Sequence, residues 1–135
     1  MIPIIGNSHS RPHNSRLIDE IPVIAVAAAA ARGTTIIKDA QELKVKESNR
    51  IKTVVTELRK AGVDIMETED GMVINGGNDI KGTVYESYND HRIAMAMSIA
   101  ALIADSPSTI NGEDAVNISF PGYFELLKTL YHNKI

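Results

Sequence analysis

Two short polar segments hold most of the groups capable of chemistry: Leu43-Lys44-Val45-Lys46-Glu47-Ser48-Asn49-Arg50 and Tyr88-Asn89-Asp90-His91-Arg92. Each crowds acids and bases together at the start of an apolar, helix-like stretch. Helix N-termini carry unpaired backbone N–H groups and favour negative ligands. The pair therefore reads as an anion-binding, acid–base site.

If residues 46–50 form the first turn of a helix, Lys46 and Arg50 are neighbours at i, i+4 and Glu47 and Arg50 at i, i+3. All three then flank the apolar stripe of Ile51, Val54, Val55 and Leu58, where partial desolvation strengthens charge interactions. Arg offers a planar fork for a carboxylate, and Lys a compact charge for a hydroxyl or phosphate. Nearby cations favour ionised Glu47 and burial favours its neutral form, so this carboxyl is suited to donating and recovering a proton.

Plainer readings stand beside these. The Lys46–Arg50 segment also fits an exposed helix start with ordinary ion pairs, each worth about 0.3–0.5 kcal/mol. Asp19 fits a structural N-cap, and His91-Arg92 a loop histidine and a solvated arginine. His9, His13 and His132 sit in polar termini and carry no role, and Met95 and Met97 are core filler. Gly76-Gly77 is a turn, without the strand–glycine–helix setting of a phosphate loop.

The elements that must hold these groups follow from periodicity. Residues 19–32 read as a helix with Asp19 as N-cap, Pro22 in the first turn and Gly33 as the stop. Its alanines favour helix and allow close packing on a sheet. Residues 46–60 read as the clearest helix, from the i, i+3, i+4, i+7 stripe. His91 to Ala104 and Phe120 to Tyr131 read as two more. Thr34–Lys38, Val63–Glu67, Met72–Ile74, Thr83–Ser87 and Thr109-Ile110 read as strands, with Glu69-Asp70-Gly71 as a hairpin turn. Residues 1–16 are polar and aperiodic around Asn7–Ser15 and read as an atypical loop or frayed terminus. The order predicts an α+β fold with α/β-type layers, helices packed on mixed sheets. Two alanine-rich helices, each followed by a small-residue turn and a threonine-led strand, hint at an internal repeat.

The 135 residues fit one domain, and 44% apolar content suffices for a core. A net charge of −3 argues against a nucleic-acid surface, which needs a basic field. The longest apolar run, Ile21 to Ala31, is too short to span a bilayer, and the N-terminus has no signal-peptide pattern. Without cysteine there is neither a disulfide framework nor a thiolate metal site, which fits a cytoplasmic protein.

The motifs also occur together and in order. Leu17-Ile18-Asp19-Glu20-Ile21-Pro22, Leu43 to Ile51, Tyr88 to Met95 and Ser119-Phe120-Pro121-Gly122-Tyr123-Phe124 closely resemble the C-terminal part of the EPSP synthases, the 3-phosphoshikimate 1-carboxyvinyltransferases that glyphosate targets. The resemblance runs from about Leu17 to the end, so residues 17–135 are expected to be the C-terminal part of an enolpyruvyl transferase domain.

The resemblance implies a partial globe built of βαβαββ units, and a shikimate-pathway reaction. The enolpyruvyl group of phosphoenolpyruvate passes to the 5-hydroxyl of shikimate 3-phosphate through a tetrahedral intermediate, releasing phosphate, with neither metal nor organic cofactor. By position, Asp19 resembles the carboxylate that holds and deprotonates the shikimate hydroxyl, and Lys46 a shikimate-phosphate ligand. Glu47 resembles the proton donor to the methylene, with His91 beside it in support. Arg50 and Arg92 resemble two phosphoenolpyruvate-binding arginines. Where some members carry a further lysine before the Ser-Phe-Pro motif, this sequence has Ile118.

Other parts of the family's clamp have no counterpart here: an N-terminal lysine, a serine cluster for the shikimate phosphate and another arginine. The chain alone is therefore expected to have little or no activity, to require the missing N-terminal domain, and to self-associate through exposed sheet. Two alternatives remain open: a fragment of the sister UDP-N-acetylglucosamine enolpyruvyl transferase, and a non-catalytic truncated module.

Overall fold

The computed structural model describes residues 2–5 and 14–112, with side chains from Ile18 onward. In chain order the elements are β1 (Ile2–Ile5), α1 (Asn14–Ala30), β2 (Thr34–Lys38), a 3-10 turn (Gln41–Val45), α2 (Arg50–Lys60), β3 (Asp64–Glu67), β4 (Met72–Asn75), β5 (Val84–Glu86), α3 (His91–Ile103) and β6 (Thr109–Asn111). The first sheet has the order β1-β2-β4-β3; β1 and β2 are parallel, and β4 is antiparallel to both its neighbours. A second, two-stranded sheet pairs β5 and β6 in parallel. The run β1-α1-β2-α2-β3-β4 is thus one complete βαβαββ unit, and β5-α3-β6 has the form of the opening of another. The fold is α+β with mixed sheets. The suspected repeat is structural: α1 and α3 each connect two parallel, hydrogen-bonded strands.

Side-chain pattern accounts for these elements. In β2, Thr35 and Ile37 are buried and alternate with more open neighbours, as a pleated strand with one covered face requires. On α2, Ile51, Val54, Val55 and Leu58 are all buried, as their spacing predicts. Helices α1 and α3 pack against each other. Both helices carry buried alanines, Ala25, Ala28 and Ala29 on α1 and Ala94, Ala96 and Ala100 on α3, which add little side-chain bulk to the packed layers. The loop after β4 closes the exposed end of α1: the N–H groups of Gly76, Gly77 and Asn78 donate to the carbonyls of Gly33, Ala31 and Ala29 at 2.8, 2.8 and 3.2 Å. Among the described residues, no helix is long and apolar enough to cross a membrane.

Three expectations are corrected. Asp19 does not cap α1, which begins at Asn14 and carries Pro22 in its interior. Burial of Ile18, Ile21 and Ala25 at i, i+3, i+7 extends the packed stripe upstream, so packing outweighs the helix-start preference of proline. Nor do residues 46–49 belong to α2. Asn49 is the N-cap, its side-chain oxygen accepting from the Lys52 N–H at 3.2 Å, and Lys46 is extended. Lastly, residues 1–16 are not all loop, since Ile2–Ile5 forms β1. Pro3 fits there because, among the described residues, β1 pairs only with β2, and a strand bonded on one side tolerates a missing N–H. The helix expected over Phe120 to Tyr131, the Ser-Phe-Pro motif, Ile118, His9, His13 and His132 lie outside the described residues.

Candidate functional site

The site forms where the N-terminus of α2 meets the turn entering α3 and the second turn of α1. Arg50 is the first residue of α2, and its side chain is only 2% exposed. Its guanidinium forks onto Asp90, Nε donating to Oδ2 at 2.9 Å and Nη2 to Oδ1 at 3.1 Å. Nη1 donates to Asp19 Oδ1 at 3.2 Å, and Nη2 also donates to Glu47 Oε2. Three carboxylates thus surround one buried arginine. Lys46 adds a second cation, its Nζ 3.6 Å from Asp19 Oδ1.

Asp90 owes its position to an unusual turn. Tyr88 and Asn89 both adopt left-handed backbone, at φ 55° and 57°. Each such non-glycine residue costs roughly 1–2 kcal/mol. The Asp90 N–H donates back to the Ser87 carbonyl at 3.0 Å, and Ser87 Oγ donates to the Gly112 carbonyl at 3.1 Å, tying the turn to the end of β6. Asp90 then serves as the N-cap of α3, Oδ1 accepting from the Arg92 N–H at 3.0 Å, while Oδ2 accepts from Ser48 Oγ at 2.8 Å. Burial pushes the Asp90 carboxyl up, but hydrogen bonds from Arg50 and Ser48, the Arg50 charge and the Arg92 N–H outweigh it. The net result is a carboxyl held below its ordinary value, ionised and saturated with donors.

Four of the six residues singled out by sequence, Asp19, Lys46, Glu47 and Arg50, form one contiguous ion cluster. The sequence predicts Lys46 and Arg50 as i, i+4 helical neighbours; instead both reach Asp19 from different segments. His91 sits at the start of α3, with a ring nitrogen within 4.8 Å of carboxylate oxygens of Glu47 and Asp90. Arg92 stands at the margin and pairs outside the cluster, Nη1 donating to Glu20 Oε1 at 3.1 Å.

Asp90 is the residue that sequence reasoning left without a role. Its signal was present: an Asp directly before a helix is a strong N-cap, and a buried arginine demands a buried carboxylate. Glu47, Asp90 and His91 are close enough together to hold a cation. However, the Arg50 guanidinium already bonds Glu47 and both Asp90 oxygens, so a metal there would have to displace it. Chemically, the arrangement is an arginine–lysine anion site whose own carboxylates occupy it, with half-exposed Glu47 the most easily moved.

Comparison with known proteins shows the family. Residues 13–127 match the family model of EPSP synthase (3-phosphoshikimate 1-carboxyvinyltransferase). A 3-phosphoshikimate 1-carboxyvinyltransferase of Desulforamulus reducens is 56% identical over 123 residues, covering 91% of this chain and 29% of the relative. One from a Thermoanaerobacter species is 57% identical over 115 residues, covering 85% and 27%. The solved EPSP synthase of Acinetobacter baumannii superposes with a TM-score of 0.80 at 40% identity, covering 91% of this chain and 29% of that one. The chain therefore spans less than a third of the length of these relatives. By the match to the family model over most of its length, the chain belongs to the EPSP synthase family.

Proposed function

We propose that the cluster around Arg50 is part of the active site of a 3-phosphoshikimate 1-carboxyvinyltransferase. In that reaction the 5-hydroxyl oxygen of shikimate 3-phosphate bonds to C2 of phosphoenolpyruvate while the methylene carbon takes up a proton. The tetrahedral intermediate then expels phosphate and returns that proton, giving 5-enolpyruvylshikimate 3-phosphate. The observation that carries the reading is the buried guanidinium of Arg50, locked to Asp90 on one edge and held by the movable carboxylates Asp19 and Glu47 on the other. An anionic substrate entering here replaces those arms, and Asp90 keeps the guanidinium plane fixed.

The roles follow from that exchange. Glu47, released from Arg50, takes up a proton from solvent and gives it to the methylene carbon, with His91 beside it. Asp19 accepts the proton of the shikimate hydroxyl and gives it up to the departing phosphate, and Lys46, 3.6 Å from Asp19, steadies charge at the same oxygen. Arg50 and Arg92 take the phosphoenolpyruvate carboxylate and phosphate. No step requires a metal or organic cofactor. The UDP-N-acetylglucosamine alternative is not favoured, because the family match is to the shikimate enzyme.

The activity is that of a longer catalytic unit, with partner residues from the rest of the enzyme completing the clamp. We place it in the cytoplasm, in keeping with a chain without cysteine. Strand β3, bonded only to β4 among the described residues and carrying exposed Met66, is a candidate edge for self-association when the chain is alone. A monomer by sedimentation at high concentration would count against that.

A chimera tests the function. The matched segment of the Desulforamulus reducens relative is replaced by this chain, and phosphate release is followed with phosphoenolpyruvate and shikimate 3-phosphate. Turnover that disappears on Arg50→Ala supports the reading. A folded chimera without turnover refutes it.

A further inference from the structure

We propose that Glu57 is a positioning residue of this site: from inside α2 it holds the left-handed Tyr88–Asn89 turn and thereby fixes the point from which Asp90 grips Arg50. The proposal rests on the reading of the Arg50 cluster as the functional centre.

Glu57 lies two turns beyond Arg50 on α2 and is fully buried. A carboxylate in such a place must be filled with donors. Its donors come chiefly from one direction. Oε1 accepts from the Glu86 backbone N–H at 2.7 Å, and Oε2 from the Tyr88 hydroxyl at 3.1 Å. Lys60 Nζ supplies a third contact to Oε1 at 2.9 Å. Pairing with Lys60 does not explain the burial, because the lysine side chain is 37% exposed and such an i, i+3 pair forms equally well at the surface. Besides Lys60, the carboxylate reaches only the segment that enters α3, through the Glu86 N–H and the Tyr88 hydroxyl, among the described residues.

The same short segment is held twice by the same helix. Asp90 binds Arg50 at the start of α2, and Glu86 and Tyr88 bind Glu57 further along it. Within this doubly held segment lie the two left-handed residues, Tyr88 and Asn89, a conformation that survives only where its surroundings impose it. Arg50, Thr53 and Glu57, at i, i+3, i+7, form a buried polar stripe on α2, distinct from its apolar one. Ser87 and Asp90 are the buried polar residues of the turn. If Glu57 releases the turn, Tyr88 and Asn89 are free to relax, and the Asp90 carboxylate shifts relative to a guanidinium fixed on the helix.

The experiment follows two NMR signals in the 135-residue chain: the carboxyl carbon of Asp90 through a pH titration, and the Nε–H of Arg50. They are recorded for the parent, Glu57→Ala, Glu57→Gln and Tyr88→Phe, with Val55→Ala as a buried truncation on the same helix. Glu57→Ala and Tyr88→Phe are expected to raise the Asp90 midpoint toward the ordinary carboxylate value and to broaden the Arg50 signal. Glu57→Gln, which keeps an oxygen for the Glu86 N–H, restores both. Val55→Ala lowers thermal stability and moves neither. Unchanged Asp90 and Arg50 signals in folded Glu57→Ala and in Tyr88→Phe overturn the proposal, as does an equal shift in Val55→Ala. If Glu57→Ala does not fold, Tyr88→Phe, which removes a single hydroxyl from a half-exposed residue, decides the matter. The readout involves no turnover, so an inactive chimera sinks the transferase reading and leaves this coupling standing, whereas an active chimera with uncoupled Asp90 does the reverse.

Discussion

Arg50 and Asp90, forty residues apart in sequence, meet edge to edge through two parallel hydrogen bonds with both side chains withdrawn from water. Removing one member of such a pair leaves the other as an uncompensated buried charge. Asp90→Ala is therefore expected to cost about 3–5 kcal/mol, measured by urea unfolding. An effect below about 1 kcal/mol would mean that water or another group replaces the carboxylate easily.

The same pair predicts an acid limb. Asp90 is held below its ordinary value in the folded chain, so it contributes stability at any pH above about 4, where the unfolded carboxyl is also ionised. As pH falls below that value the unfolded chain binds the proton first, and the contribution declines until the folded carboxyl protonates. Thermal unfolding between neutral and strongly acidic pH should show this loss in the parent. A folded Asp90→Asn variant should be flatter over the same range; identical slopes would contradict the assignment.

Glu47 should behave in the opposite way to Asp90. Its side chain is about half exposed and touches the cluster from outside. Glu47→Gln is expected to change stability by less than about 1 kcal/mol while lowering turnover of the chimera by about 10²–10⁴-fold, the usual share of a general acid. Unchanged turnover would remove it from proton transfer.

How much of this was legible beforehand depended on whether the signal was local. The apolar stripe of α2 repeats every helical turn and could be read directly, as could the β3–β4 hairpin from Glu69-Asp70-Gly71. The starts of α1 and α2 were misread because Pro22 and the Lys46–Arg50 spacing each fit a helix start, and only the buried Ile18 and the Asn49 cap decide otherwise. Asp19, Lys46, Glu47 and Arg50 lie together, but not through the helical spacing that the sequence suggests, since a long-range contact with Asp19 joins Lys46 to Arg50. Asp90 is legible as a helix cap, but its burial and that of Glu57 are not, because burial is not written in a carboxylate.

Gly76 and Gly77 illustrate the same limit and give a paired prediction. A Cβ on Gly76 would stand 1.6 Å from the Ala31 carbonyl oxygen, so the close seating of this loop on the end of α1 excludes any side chain. Gly77 has φ +77° and nothing within 4 Å of its would-be Cβ. Gly77→Ala should cost only the left-handed backbone penalty, roughly 1–2 kcal/mol. Gly76→Ala should cost more than that, because the backbone of α1 or of the loop must move. Denaturant midpoints of the two variants compare them, and equal losses would deny the close approach.

Tyr85 is buried in β5, and its hydroxyl has no hydrogen-bond partner among the described residues. Burial, reinforced by the negative charge of Glu57, pushes it up to about 12. Because the folded value lies above the unfolded one, the contribution to stability is complete below about pH 10 and is lost as pH rises through 12. Absorbance of tyrosinate should therefore show Tyr85 ionising well after exposed tyrosines, together with unfolding. Tyr85→Phe removes an unsatisfied hydroxyl and should be neutral or stabilising by up to about 1 kcal/mol at neutral pH, with a flatter alkaline limb. A Tyr85→Phe variant destabilised by several kcal/mol would reveal a bound partner for that hydroxyl, since only a hydrogen bond made in the folded chain could be lost.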